Sequence, residues 1–351
     1  MSIVPAEMAS PGLASHLHSA YGLPITTIAG VPKGEDADAY CATATTGERY
    51  FVRVEHGHRD DRLAVALAAS AELRAQGGLH AVVAPLPTRQ GAVTSRLGDL
   101  TVALFPYVDG ATATDFPLGE PDWQRLAAVM ATLHASDIRR GIGALPRETF
   151  ANPFAATIRR TLQRAASTDT WSLPCQQQAA ALPLANRADL EVTLTGFARL
   201  GDLARRLGSA MVLTHGDPNL SNVLRDNLGA LHVIDWGGLG LGPRERDLMA
   251  FTEERFAIFL EGYLARAGLV RLHLDLFAFY ALRWVLQEIA DYGSRLLLEP
   301  VDAEGQAHAW RELQPYLPIP HAALAADHEA VRQTFAPFER TGQVTLHPGT
   351  P

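Results

Sequence analysis

Near residue 110 the hydrophobic pattern of this chain changes period, and that change limits the folds open to it. Before it the sequence reads as short strands with one helix; after it, as a succession of helices. Residues 49–54, Arg-Tyr-Phe-Val-Arg-Val, alternate and are rich in β-formers, which predicts a strand, with Gly47 suited to the turn before it. Residues 62–76 predict a helix stopped at Gly77-Gly78. Strands are expected over 81–84 and 92–96, around a turn at Arg89-Gln90-Gly91, and over 99–108, where Pro106 and Asp109-Gly110 end a buried strand. Beyond it, Pro121 suits the first position of a helix that places Trp123, Leu126, Met130 and Leu133 on one face. Further helices are expected over 153–166, 191–207, 244–267 and 273–298, the last apolar nearly all round and so interior. Residues 168–188, with Pro174, Gln176-Gln177-Gln178 and Pro183, read as a loop or insert, and the tail past 340 as loose. The expected class is α+β with two lobes. A small β-rich lobe spans 1–105, a connector 106–110, and a larger helical lobe 111–340, before a tail at 341–351. Ligand sites favour the cleft between such lobes.

Composition narrows the function. At ~150 residues per domain, 351 residues suit two domains, and 47% hydrophobic content supplies their cores. A net charge of -8 argues against a nucleic-acid partner. Cys41 and Cys175 form no disulfide framework or zinc pair, which fits a reducing cytoplasm. The N-terminus has no signal-peptide pattern, and the longest apolar run, Leu63 to Ala71, is far short of a membrane span. The expectation is a cytoplasmic monomer or homodimer with no membrane partner. Of the 30 basic residues only Lys33 is a lysine.

The chemistry concentrates in residues 213–248. Phosphoryl transfer needs a carboxylate to orient an acceptor hydroxyl, and oxygen ligands to hold Mg²⁺ against nucleotide phosphates. Asp217 precedes Pro218 in a turn, Asn222 follows five residues on, and a short apolar strand at 231–234 displays Asp235 at its end. Singly, Asp217 and Asn222 are ordinary turn residues. Their joint spacing with Asp235 is that of a loop carrying a base and a metal ligand, followed by a hairpin returning a second ligand.

The His215-Gly216-Asp217 loop with Asn222, the Ile234-Asp235-Trp236 strand end, Phe105-Pro106-Tyr107-Val108-Asp109-Gly110 and Pro243-Arg244-Glu245-Arg246-Asp247-Leu248 occur in order. With these motifs the chain resembles the aminoglycoside phosphotransferase family, over most of residues 30–300. The resemblance implies a two-lobed protein-kinase-like fold. It also implies transfer of the γ-phosphate of ATP or GTP, with Mg²⁺, to a hydroxyl of a small, cationic, hydrophilic molecule, such as the aminocyclitol antibiotic spectinomycin. By the same resemblance Asp217 is the catalytic base, Asn222 and Asp235 bind Mg²⁺, and His215 braces the loop. Segment 104–108, with Phe105 and Tyr107, meets the adenine. Residues 30–41, with Lys33 and Gly34, cover the phosphates, and Glu72 pairs with the basic residue of the preceding strand. A metabolic kinase acting on a sugar, choline or amino alcohol shares all these features. A non-catalytic nucleotide-binding protein is the rival of another class.

That basic residue departs from the pattern. Kinase folds place lysine on the third strand; here the position is Arg53. Three readings are open: Arg53 acts in a wider pocket, Lys33 supplies the ammonium, or the protein binds nucleotide poorly. Acids are expected around a cationic acceptor, and Glu253, Glu254, Glu288 and Asp291 stand on helices that could supply them. Trp236 and Trp284 are expected in the core. Arg244 to Asp247 form either a surface charge run or a brace for the catalytic loop, and His56 to Asp61 a solvated helix start.

Overall fold

The computed structural model describes residues 6–31, 37–56, 62–76, 78–137, 142–167, 174–252 and 255–347, without the side chains of 6–11 and 174–175. The chain begins with α1 (Ala6–Tyr21), β1 (Ile25–Gly30), β2 (Asp38–Ala44), β3 (Arg49–His56), α2 (Arg62–Ala75), β4 (Ser95–Leu97) and β5 (Leu100–Pro106). Next come β6 (Gly110–Thr112), α3 (Glu120–Ala135), α4 (Ala155–Ala165), α5 (Pro174–Ala185), α6 (Arg187–Leu207), β7 (Val212–Thr214), β8 (Val223–Asp226), β9 (Leu231–Val233) and β10 (Gly240–Gly242). The remainder is α7 (Glu245–Leu248), α8 (Phe256–Ala267), β11 (Val270–His273), α9 (Leu274–Leu297), α10 (Ala303–Leu313), α11 (His321–Arg340) and β12 (Val344–His347). No described helix is long and apolar enough to cross a membrane.

Contacts divide the described residues into two units: those up to Arg147 with Met211–Gly268, and Glu148–Ala210 with those from Leu269 to His347. In the first unit an antiparallel sheet runs in the order β1-β2-β3-β5-β4. Side chains alternate across a strand, so β3 divides its own residues. Val52 and Val54 turn to a core with Tyr40, Ala42, Val102 and Leu104, covered by Leu13 and Leu17 of α1. The opposite face carries Phe51, Arg53 and Glu55, and here Phe51 joins Phe105, Leu67, Val83 and Ile234 in a second apolar cluster. Cross-strand register sets Cys41 and Phe105 beside Phe51, and Ala39 and Ala103 beside Arg53.

The connector joins two sheets with little slack. Pro106 is still paired with Tyr50 in the large sheet, and Gly110 is already paired with Asp226 in a smaller one ordered β6-β8-β9. Between them the Tyr107 N–H donates to the Arg49 carbonyl, and the Asn227 N–H to that of Asp109.

In the second unit α9 carries a long buried face including Leu276, Phe279, Leu286, Ile289 and Leu296. Phe279 stacks on Phe197 of α6 at 4.7 Å.

Several expectations are corrected. Residues 81–84 form no strand; Val82 makes an isolated bridge to Val233. Pro121 is the second helical residue, behind Glu120. The expected insert contains α5, with Pro183 inside it, because Ala179 and Ala180 bury a helical stripe. The expected helix over 244–267 is broken into α7 and α8, since Arg246 and Asp247 turn inward to the 214–216 loop. Past 340 the chain is tied down as far as His347: β12 pairs in parallel with β11. The sequence reading missed α1, α10 and α11; Pro11 and Gly12 inside α1 disguise it. Trp236 is core, but Trp284 is 36% exposed, its ring nitrogen donating to the Tyr316 hydroxyl.

Candidate active site

One short hairpin, β8–β9, and the β7–β10 strand pair that encloses it in the chain frame the site. β8 and β9 pair Val223 with Val233, and just past that pair the Ile234 N–H donates to the Asn222 carbonyl at 3.0 Å. Asn222 and Asp235 therefore emerge together from the open end of one hairpin. β7 and β10 pair antiparallel, bringing back the chain on either side of the loop that holds Asp217.

Asp217 is held by its neighbours. One carboxylate oxygen accepts from Asn219 Nδ2 at 2.8 Å, the other from Asn222 Nδ2 at 3.2 Å, and Asn222 Nδ2 also reaches the Asp217 carbonyl at 2.9 Å. The Asn222 amide nitrogen is thus spent on Asp217, and its oxygen is the atom left for a cation. Burial pushes the Asp217 pKa up, as does the Asp235 charge, against the bonds from Asn219 and Asn222 and the charge of His215. Asp235 adopts a left-handed backbone, φ 58 and ψ 60, which Asp tolerates better than most residues and which turns the chain sharply after β9. Asn222 and Asp235 supply two oxygens; Mg²⁺ commonly takes one or two carboxylates and fills its shell with phosphate and water. The donor set therefore fits such an ion.

The loop is braced from within. His215 is buried, with Nε2 at 2.9 Å from the Ile234 carbonyl and its ring 4.5 Å from that of Trp236. Asp247 accepts the N–H groups of both His215 and Gly216 at 2.8 Å. His134 of α3 meets the same carboxylate, and Tyr263 of α8 binds the other ring nitrogen of His134 at 2.8 Å. Arg246 reaches Thr214 Oγ1 at 2.7 Å and the Gly238 carbonyl at 3.2 Å. Gly216 has φ +95, and a Cβ there would lie 2.6 Å from the Gly238 carbonyl, so the loop's second residue has no room for a side chain. The charged run at 244–247 is a brace: Glu245 and Asp247 are buried.

Arg53 lies under the sheet. Its Nη1 donates to Asp235 at 2.5 Å and its Nε to Glu55 at 2.9 Å. The Glu72 expectation is corrected here, because Arg53 pairs with Glu55 and Asp235 and not with Glu72. Leu63, at the start of α2, packs on Gly237 near Arg53; Glu72 is nine residues further on, ~13 Å along a helix axis. Glu55 is the residue sequence reasoning missed, although its spacing of two from Arg53 put it on the same strand face.

At the connector, Phe105 lies 6.3 Å from Phe51, and Arg49 lies 4.5 Å over the Tyr107 ring and pairs with Asp109. Lys33, Gly34, Glu253 and Glu254 lie outside the described residues. Glu288 (buried) and Asp291 (exposed) lie on α9 in the second unit.

A family model described as the phosphotransferase enzyme family matches residues 27–282. The chain belongs to that family, with its kinase-like fold, and is an O-phosphotransferase, which sets aside the non-catalytic reading. It is 33% identical over 307 residues to Protein StrN of Streptomyces griseus, covering 83% of this chain and 86% of that one. Among solved structures it is similar to a spectinomycin phosphotransferase in complex with ADP and spectinomycin. That match has a TM-score of 0.70 at 19% identity, over 95% of this chain and 99% of the other. It is also similar to a microcompartment-associated aminopropanol kinase, with a TM-score of 0.55 at 19% identity, over 94% and 98% of the two chains. At these identities the likeness is one of fold.

Proposed function

We propose that this enzyme moves the γ-phosphoryl group of ATP or GTP, with Mg²⁺, to a hydroxyl of an aminoglycoside or aminocyclitol antibiotic such as spectinomycin, and so confers resistance. The observation that carries the reading is the convergence of Asp217, Asn222, Asp235 and Arg53 at the open end of the β8–β9 hairpin.

In this reading Asp217 receives the acceptor hydroxyl's hydrogen bond and takes its proton as the new P–O bond forms and the bond from the γ-phosphorus to the β-phosphate oxygen breaks, releasing the nucleoside diphosphate. Burial raises its basicity, and its contacts to Asn219 and Asn222 fix its direction before substrate arrives. Asn222 and Asp235 would hold Mg²⁺, which neutralises charge on the phosphates when bound. Arg53 adds its positive charge to the same group of oxygens. Residues 1–105 act as the nucleotide lobe, 106–110 as its hinge, and 111–340 as the lobe of the catalytic loop and acceptor. At the hinge Pro106 has no N–H and the Tyr107 N–H is spent on Arg49, so Val108 would donate to the base, with Phe51 and Phe105 together on one side of it. Glu254, Glu288 and Asp291 are the acids proposed to take the acceptor's protonated amines.

The test is a phosphate-transfer screen of the purified chain, with ATP and GTP, against aminoglycosides, aminocyclitols, sugars, choline and amino alcohols. Transfer to an aminocyclitol, with protection of a susceptible host, supports the reading. Transfer confined to a metabolite replaces it with a metabolic kinase.

A further inference from the structure

Arg53 stands where a shorter cation would serve, and the strands around it have been shaped to receive it. Its two cross-strand neighbours on the same face are Ala39 and Ala103, so the adjoining rows leave the guanidinium free of bulk. Its Nε donates to Glu55 at 2.9 Å and its Nη1 to Asp235 at 2.5 Å. The two anchors differ in exposure: the Glu55 side chain is 11% exposed and that of Asp235 43%. A buried carboxylate paired with a buried guanidinium is a costly contact to break, whereas an exposed one exchanges partners readily. Asp235 is the carboxylate that must turn to a metal; Glu55 has no second task.

Resting on the reading of Arg53 as a triphosphate-holding residue, we infer that Glu55 is its positioning residue. Glu55 grips the guanidinium by Nε, an atom lysine lacks, and holds its remaining N–H groups in place for the phosphates after Asp235 lets go. Arg53 and Glu55 are thus a matched pair. Lysine at position 53 would offer one nitrogen on a flexible stem and could not keep Glu55 and meet a phosphate together. Because 53 and 55 share a strand face, the pair needs nothing from helix α2.

The test is a double-mutant cycle on the full chain. ATP and GTP, each with Mg²⁺, are titrated by calorimetry, and Mg²⁺-dependent ATP hydrolysis gives KM and kcat. Glu55→Gln is expected to weaken nucleotide binding about tenfold, the loss of one charge-assisted hydrogen bond, while kcat changes less than twofold. Arg53→Lys is expected to weaken binding similarly, and adding Glu55→Gln to it to cost less than a further twofold. Wild-type affinity in Glu55→Gln with lost affinity in Arg53→Ala overturns the inference and leaves Arg53 in place. Wild-type affinity in Arg53→Ala overturns the reading beneath it. Fully additive losses, or a larger loss from Glu72→Gln than from Glu55→Gln, also overturn the pairing. If Glu55→Gln does not melt cooperatively, Glu55→Asp takes its place: intermediate affinity supports the pair, and wild-type affinity overturns it.

Discussion

His134 and Asp247 are 113 residues apart in sequence and meet at 3.1 Å with both side chains fully enclosed. Through that contact α3 holds the carboxylate that holds the 215–217 loop. Replacing Asp247 by Ala orphans the His215 and Gly216 N–H groups and one nitrogen of His134. The expected loss is ~3–5 kcal/mol, the range for breaking a buried charged partnership, read as a drop in the urea midpoint.

The same carboxylate gives the fold an acid limit. Burial alone would raise the Asp247 pKa, but the His134 bond and charge, with His215 and Arg246, outweigh it and hold it below the usual aspartate range. A depressed folded pKa contributes stability that is complete above the unfolded value and drains away as pH falls through the folded one. The stability gap between the native chain and Asp247→Asn is therefore expected to hold from pH 7 to about 5 and to narrow progressively as pH falls further, toward the depressed folded pKa. Urea titrations across that range measure it; a gap unchanged at pH 3 would count against the assignment.

Asp217→Asn separates chemistry from binding. Turnover is expected to fall by ~10²–10⁴, the usual share of a positioned base, while ATP·Mg²⁺ affinity stays near wild type. In the nucleotide-free and metal-free protein the variant is expected to melt higher than the parent, since it removes a buried negative charge near Asp235. Retained turnover removes Asp217 from its role.

Cys41 is placed to test the proposed seat of the nucleobase. It shares a cross-strand row with Phe51 and Phe105 and is partly exposed. Saturating nucleotide with Mg²⁺ is expected to slow its alkylation severalfold, followed by peptide mass mapping to separate it from Cys175. An unchanged rate would move the base away from this row.

Much of the candidate site is legible because its residues are close in sequence. Asp217, Asn222 and Asp235 lie within one loop and one hairpin, whose backbone pairing brings them together. The strand at 49–54 is marked by its alternation, the helix at 62–76 by its composition and the glycines after it, and that at 273–298 by its long apolar run. What escaped depends on distance. His134 meets Asp247 across 113 residues, and no local pattern marks one histidine on α3 as a partner. Glu55 was within two residues of Arg53, but the expectation of a helix carboxylate drew attention to Glu72. Helix α5 was hidden by its prolines and glutamines, whose local signals lost to the burial of Ala179 and Ala180.

The connector has its own consequence. Pro106 belongs to one sheet and Gly110 to another, and Tyr107 and Asp109 are both pinned. Only three residues separate the two ladders, so the joint works as a stiff wrist and not as a tether. Any rocking of the large sheet pulls directly on β6, and through it on the hairpin that carries Asn222 and Asp235. A single residue inserted at 107–109 would be felt at the catalytic end before it was felt at the base-binding one.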